Sequence, residues 1–466
     1  MELMALIENY GPFDLFFTLS CGDYRYDENF TSLLQDQDIS YVVIDGEETC
    51  LINGLTINEF LEQNSSMHEF IRTNIITATR NFDFRVKSFL KSVVMNQCSN
   101  LPVKMYSYRI EFQGRGSAHI HGVIWLDIPK LVDLQLKSGN DRLKYLQSAL
   151  ETVRQDKLPT DEEASAIEAY IDMVATCSLR IPETKKIAEQ VNCHHHTKTC
   201  TKRGEENCRF HFPRFPSLKT IFAVPLRLKF TDDEKCKAMK SKIKNALNKV
   251  KEVLQNKTFM EELELIHKED IQTLVDEKIY VHRASQILED PGYRQMIMSY
   301  PNEDDIKEIN SYLNDDLTKF KNEADIGTLL LDNLQDFYDN HSISANDIQK
   351  DENDWLWKRL LSLLLRADGL CEILNINEDQ PQEMKNSELI RKYHEMLGYS
   401  LKGFSVVLRR DINEGMVNNF NSEWLYVWNS NLDISPVFDF YAVITYISDY
   451  YMKVIITNEF THEFTY

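Results

Sequence analysis

The chain has no apolar run approaching the eighteen or so residues that a bilayer span requires. Met1 leads straight into Glu2, without the basic stretch and apolar segment of a secretory leader. The expectation is a soluble, non-secreted protein with no membrane partner. Cysteine is sparse: nine in 466 residues are too few for a disulfide framework and suit a reducing compartment. Positive charge is short as well. Against 73 Asp+Glu stand 52 Lys+Arg, a net charge of −21, which excludes a protein held on a polyanion by overall charge. The sequence contains no G-x-x-x-x-G-K-[ST] loop and hence no ATP-driven motor of that type. It also lacks a G-x-S-x-G elbow and a dinucleotide fingerprint. What remains is ordinary globular material, 43% hydrophobic and 27% charged, long enough for about three domains.

Charge is unevenly spread. Cys193 to Lys257 carries 16 Lys+Arg and 6 Asp+Glu, a basic stretch on an acidic chain. Such a stretch is either a solvated helix face or a local footprint for a polyanion. Phe13 to Cys21 is a β-rich apolar run suited to a buried strand, and Met67 to Met95 has helical apolar spacing. Met105–Gln113 and Ala118–Leu126 are two β-like runs around Gly114-Arg115-Gly116-Ser117, a turn by composition, so an antiparallel hairpin is expected. Asp127 to Gln190 is helical in pattern. Thr231 to Gln349 alternates charges with few apolar residues, as exposed helices do. Leu356 to Leu374 is an apolar helix with a break suited to Gly369, and aromatic and β-branched residues return from Gly403 onward.

Three constellations could carry chemistry. On a strand, alternation puts His119 and His121 on one face with Ile120 on the other, and Glu111 and Gln113 on one face of the preceding strand. Two imidazoles and one amide or carboxylate oxygen make a three-ligand metal site with open positions, able to polarise a substrate oxygen. The bland alternative is a pair of surface histidines. In the second constellation, Tyr446, Tyr450 and Lys453 share one stripe if their segment is a helix. A phenol has a pKa of about 10, so it needs a metal or cation nearby to act as a nucleophile. Aromatic core filling is the bland alternative here. Third, seven Cys and His residues crowd into Cys193–His211. His194, His196, Cys200 and Cys208 are the preferred set for a tetrahedral structural Zn2+, with Cys193, His195 and His211 as alternates. A closed zinc site would order a short basic segment and display Arg203, Arg209 and Arg214 for phosphate contacts.

Taken in order, these stretches resemble the replication-initiator (Rep) part of Helitron rolling-circle transposases. The resemblance is carried by Glu2 to Cys21, Glu111 to Trp125, His194 to Cys200 and Cys208 to Pro213. At the other end it is carried by Asn418 to Asn421, Trp428 to Ile434 and Tyr446 to Lys453. It implies an HUH endonuclease of α+β fold: an antiparallel HUH-type sheet with flanking helices, a small Cys/His zinc segment and a mostly helical insertion. The nuclease domain would begin in 1–190, with its metal hairpin at 105–126. The zinc segment would occupy 191–218, the insertion 219–400, and the tyrosine-bearing end of the Rep domain 401–466. His119 and His121 would hold Mn2+ or Mg2+, with Gln113 preferred over Glu111 as third ligand. Tyr446 or Tyr450 would attack single-stranded DNA and form a 5′-phosphotyrosine, with Lys453 assisting and Arg115 joining the DNA contacts. The implied partners are transposon ends and target DNA, together with a helicase encoded separately or lost. A DNA substrate implies a nuclear location. The second reading is a transposon-derived DNA-binding remnant without catalysis.

Overall fold

The computed structural model describes residues 2–22, 39–44, 47–52, 54–56, 59, 75–96, 99, 101–112, 118–196, 200, 208–262, 291, 331–332, 335 and 345–447. The chain divides into two compact units, one formed by Met1–Lys251 with Ala367–Tyr466, the other by Glu252–Arg366. Both ends of the polypeptide therefore lie in the first unit. Of the 219–400 stretch expected as one insertion, 219–251 and 367–400 also fall in that unit. The second unit contains the whole of the long helix α8 (Ala345–Arg366), with Arg366 placed 4.3 Å over the Phe259 ring.

The first unit opens with α1 (Glu2–Tyr10), which ends at Gly11 in the left-handed conformation, φ +76°. Next comes β1 (Leu15–Ser20), then a small antiparallel sheet of β2 (Ile39–Ile44), β3 (Glu47–Ile52) and β4 (Leu55–Thr56). Helix α2 (Ile75–Phe89) leads to the hairpin strands β5 (Val103–Phe112) and β6 (Ala118–Leu126). The expected helical stretch after the hairpin contains α3 (Ile128–Lys137), α4 (Leu146–Arg154), α5 (Asp161–Val174) and α6 (Pro182–Ile187). Thr160 and Glu163 close a capping box at the start of α5, satisfying two otherwise orphaned backbone donors. After β7 (Ile221–Pro225) runs α7 (Asp233–Leu254). The remainder comprises α9 (Gln382–Leu397), β8 (Tyr399–Ser400), β9 (Ser405–Val407), α10 (Ser422–Trp428), β10 (Leu432–Pro436) and a final helix α11 at 440–447.

The fold is mixed α+β around an antiparallel four-stranded sheet of order β10-β1-β6-β5. Its two centre strands are hydrophobic on one face, as period-two alternation requires. Leu15, Phe17 and Leu19 of β1 and Ile120, Ile124 and Leu126 of β6 enter the main core. There they meet Phe82, Val86 and Phe89 of α2, Ile167 and Tyr170 of α5, and Trp424 and Trp428 of α10. Asn421 caps α10 by accepting from the Trp424 N–H and also donates to the Val174 carbonyl, so the Trp-bearing helix is fixed to the end of α5. Gly122 lies opposite Phe17 in the ladder, and a Cβ there would stand 2.4 Å from the Phe17 ring, so the strand needs a glycine at this point.

The opposite face of the sheet carries His119, His121, Val123 and Trp125 on β6 and Phe16 and Ser20 on β1. It has its own apolar layer. Leu3 and Ile7 of α1 and Phe440, Val443, Ile444 and Ile447 of α11 cover Phe13, Val123 and Trp125. The Trp125 indole donates to the Gly11 carbonyl at 2.8 Å, and the Phe13 and Phe440 rings lie 4.8 Å apart. Burying these aromatics removes large apolar areas from water. That contact brings the last described helix onto the first strands. Among the described residues no helix is long and apolar enough to cross a membrane.

Candidate metal centre

On the α11 side of β6, the expected alternation holds: Ile120 is fully buried in the main core, while His119 and His121 point to the other face, ring centroids 4.9 Å apart. β6 is a centre strand, so both imidazoles have neighbours on either side. From β5, Glu111 stands opposite His119 and Arg109 opposite His121. Glu111 Oε2 lies 3.0 Å from His121 Nε2. From β1, Ser20 stands opposite His119, its Oγ 2.8 Å from His119 Nδ1. Phe16 stacks beside His121 at 6.1 Å.

Tyr446 arrives from α11, its ring edge-on to His121 at 5.6 Å and to Phe16 at 5.7 Å. His121 is 6% exposed beneath it, whereas Tyr446 is 41% exposed. The next residue, Ile447, is buried against the Val123/Trp125 layer, which pins the helix at this point. A phenol, two imidazoles and a carboxylate thus share one corner of the sheet. Burial, with the neighbouring His121 adding to it, pushes the His119 imidazole down to about 4. His119 is therefore neutral at physiological pH, the form that offers a lone pair to a metal. The 3.0 Å between His121 and Glu111 is a hydrogen-bond distance. It is also about the spacing of adjacent donors in an octahedral site with ligand distances of about 2.1 Å. In donor chemistry two imidazoles and a carboxylate suit a hard to borderline divalent cation, although among the described residues these three do not gather as a ligand group the way the Cys/His cluster does.

Gln113, which the resemblance favours over Glu111, lies outside the described residues, as do Arg115, Arg203, Tyr450 and Lys453. Two residues opposite the histidines, Arg109 and Ser20, and Asn431 behind Ser20 escaped the sequence reading. Arg109 was accessible to it, standing two positions before Glu111 and so on the same face. Ser20 and Asn431 were not, because nothing in their local sequence indicates what they face.

A second cluster forms in the Cys/His segment. The ligand atoms of His194, His196, Cys200 and Cys208 all lie within 4.8 Å of one another. His194 Nε2 is 3.4 Å from the sulfurs of both Cys200 and Cys208. Tetrahedral zinc with Zn–S of about 2.3 Å and Zn–N of about 2.0 Å separates such atoms by about 3.5 Å. This spacing and two thiols with two imidazoles fit a closed zinc site. Burial, reinforced by His196, His195 and Arg214, lowers the His194 pKa and favours its neutral form. The alternates Cys193, His195 and His211 are not members of the gathered group: Cys193 pairs with Val417 in a backbone bridge, and burial with Glu189 nearby raises its pKa. His211 takes a left-handed backbone, φ +62°, its N–H donating to the Cys208 carbonyl.

The segment around this cluster has only a small apolar patch, in which Cys200, Cys208 and Phe212 pack with Met416. Backbone bonds tie it to the 410–418 loop, His194 N–H to the Met416 carbonyl at 2.7 Å and Arg214 N–H to the Gly415 carbonyl at 2.8 Å. Phe212 stacks on His194 at 4.4 Å, with the Arg214 guanidinium 4.9 Å over the same ring. Arg209 lies 4.5 Å over Phe210, both exposed. The two described arginines are thus presented with aromatic rings, a surface suited to phosphates and bases.

Residues 1–124 match the model of the Helitron helicase-like domain at N-terminus. That stretch includes β1, Glu111, His119 and His121 and stops short of the Cys/His cluster and Tyr446. Neither a curated protein nor a solved structure matches the chain.

Proposed function

We propose that the chain is a Helitron-type Rep module that nicks and joins single-stranded DNA through a phosphotyrosine. The observation that carries this reading is the meeting of Tyr446 with His121 at 5.6 Å, from opposite parts of the polypeptide. A core aromatic needs no such address. A nucleophile in phosphoryl transfer does, because positioning supplies much of the rate. The similarity of residues 1–124 to a Helitron domain associates the same histidines with a transposon protein.

His119 and His121 would hold Mn2+ or Mg2+, with Glu111 or Gln113 as the third donor. When bound, the cation would neutralise charge on the non-bridging phosphate oxygens. Arg109, beside the site, would take another of those oxygens. Tyr446 Oη attacks phosphorus and a P–Oη bond forms. The phenolic proton is released to water as that bond forms, and the P–O3′ bond breaks, its departing oxygen taking up a proton from water as a free 3′-hydroxyl. The chain then carries the 5′-phosphate, and reversal onto a new 3′-hydroxyl rejoins DNA without ATP, since one ester is exchanged for another. Tyr450 would serve a second transfer, with Lys453 assisting. Zn2+ at His194, His196, Cys200 and Cys208 would keep Arg209 and Arg214 in place for the strand, with Arg115 and Arg203 adding contacts. A helicase supplied separately would unwind the donor, and the work would be done in the nucleus.

The test is a covalent-adduct assay with labelled single-stranded DNA and either Mn2+ or Mg2+. Wild type should form a denaturation-resistant adduct, and Tyr446→Phe with Tyr450→Phe should abolish it. Salt-sensitive DNA binding with no adduct under either cation would replace this reading by the non-catalytic remnant.

A further inference from the structure

Ser20 is held from several sides. The β1·β6 register places it opposite His119. Its backbone N–H donates to the Asn431 carbonyl at 2.9 Å, and its own carbonyl accepts the Trp428 indole N–H at 3.1 Å. Its hydroxyl oxygen is 2.8 Å from His119 Nδ1 and 3.4 Å from Asn431 Oδ1. Asn431 in turn donates its Nδ2–H to the Val191 carbonyl at 2.8 Å. The next residue along from Val191, Asn192, is fully buried and clamps the start of β10. Its Nδ2 donates to the Leu432 carbonyl, and its Oδ1 accepts the Leu432 N–H. Neither end of this chain of bonds is free to drift.

The direction of each bond follows from what each atom can donate or accept. The Val191 carbonyl only accepts, so it selects the nitrogen end of the Asn431 amide and turns Oδ1 toward Ser20. Oδ1 also only accepts, so the Ser20 hydroxyl proton points at Asn431. The oxygen of Ser20 is then left to accept, and its partner His119 Nδ1 must carry the proton. A neutral imidazole carries one proton, so the lone pair resides on Nε2.

We propose that Ser20 and Asn431 are positioning residues that hold His119 in the Nδ1–H tautomer and so present Nε2 to a divalent cation before it binds. The inference rests on the nuclease reading for what the lone pair is used for, but not for the tautomer itself. Partners that orient ligand histidines in this way set both ring angle and basicity. Here the partner is a neutral hydroxyl, whose direction is fixed by an amide from the far end of the chain.

The test uses the full chain with 15N-labelled histidine, freed of divalent cation at the hairpin, at pH 7.5. His119 Nδ1 should show the shift of a protonated nitrogen and Nε2 that of an unprotonated one, with His119→Gln assigning the signals. Ser20→Ala should let the Nε2–H tautomer appear and weaken Mn2+ binding, read by electron paramagnetic resonance, by about 10- to 100-fold. Ser20→Thr, which keeps the hydroxyl, should restore both. Asn431→Leu should mix the tautomers while Ser20 is intact. An Nε2–H tautomer in wild type, or a tautomer indifferent to Ser20→Ala, overturns the proposal. A Ser20-dependent Nδ1–H tautomer in a protein that binds no Mn2+ supports the relay and removes the nuclease reading instead.

Discussion

His119/His121 and the Cys193–Pro216 segment both gather imidazoles, but on opposite kinds of backbone. The first pair sits on a centre strand, with ladders on both sides and an apolar core directly behind Ile120. The second group sits on irregular chain, and its two thiols pack with little more than Phe212 and Met416. A sheet can hold ligands in place without a metal, so such a site can leave positions open for substrate. A segment lacking a core needs the metal to order it, so all its donors are spent on that task. The donor types follow the same division: imidazole, carboxylate and phenol at the hairpin, thiols and imidazoles in the segment.

The largest effect should come from emptying the second group. Cys200→Ser with Cys208→Ser is expected to reduce bound zinc from one per chain to none. It should also cost several kcal/mol of stability, since structural zinc in small domains contributes up to about 10–16 kcal/mol. Metal analysis and thermal melting check both. His119→Gln with His121→Gln should shift stability by no more than about 1–2 kcal/mol. Equal losses at the two sites would break the contrast.

Next in size is Gly122→Ala, which removes nothing from either donor set but drives a methyl group into the Phe17 ring. Overpacking of this kind costs about 1–3 kcal/mol. If the sheet is what holds the hairpin site, Mn2+ affinity should fall in this variant while zinc content stays constant. Glu111→Gln is a finer probe. It should weaken Mn2+ binding about tenfold, or about 1.4 kcal/mol, again without loss of zinc. A parallel loss of zinc would mean that the two regions are not separate sites.

The smallest effect supplies the background for any acid titration of the two regions. His394 belongs to neither; its Nε2 accepts the Leu218 N–H, and burial, with the Lys219 charge adding to it, lowers its pKa to about 4. The unfolded chain, with an ordinary imidazole pKa of about 6.5, binds more protons between those values. This stability is therefore fully present above about pH 6.5 and is lost as pH falls toward 4. The loss should be about 1 kcal/mol at pH 5.5. His394→Gln should flatten that slope in denaturant titrations run from pH 7 to 4.5.

Much of the local architecture was legible. The Gly114–Ser117 composition and the flanking β-rich runs anticipated strands observed at Val103–Phe112 and Ala118–Leu126. The apolar helix before Gly369 ends at Arg366, and Gly369 takes φ +73°. The crowding of Cys and His marked the four residues that gather within 4.8 Å. The strand β10, by contrast, is five residues long, too short for its periodicity to be distinctive, and it pairs with β1 across more than four hundred residues of chain. Strand β7 was hidden inside a charge-rich stretch, though its Phe222 and Val224 enter the main core.

By itself the amino-acid order determined which side chains share a face, because the two-residue period of a strand and the spacing of thiols and imidazoles are local geometry. That Gly122 faces the Phe17 ring was decided by the pairing of β1 with β6, not by any local pattern. Only the tertiary structure decided that Tyr446 lies over His121, and that Ser20 links His119 to Asn431. The first contact depends on burying Phe440 and Ile447 against Phe13 and Trp125, the second on pairing β10 and β6 with β1. Both are matches between distant segments, and no local pattern encodes which partner each will find.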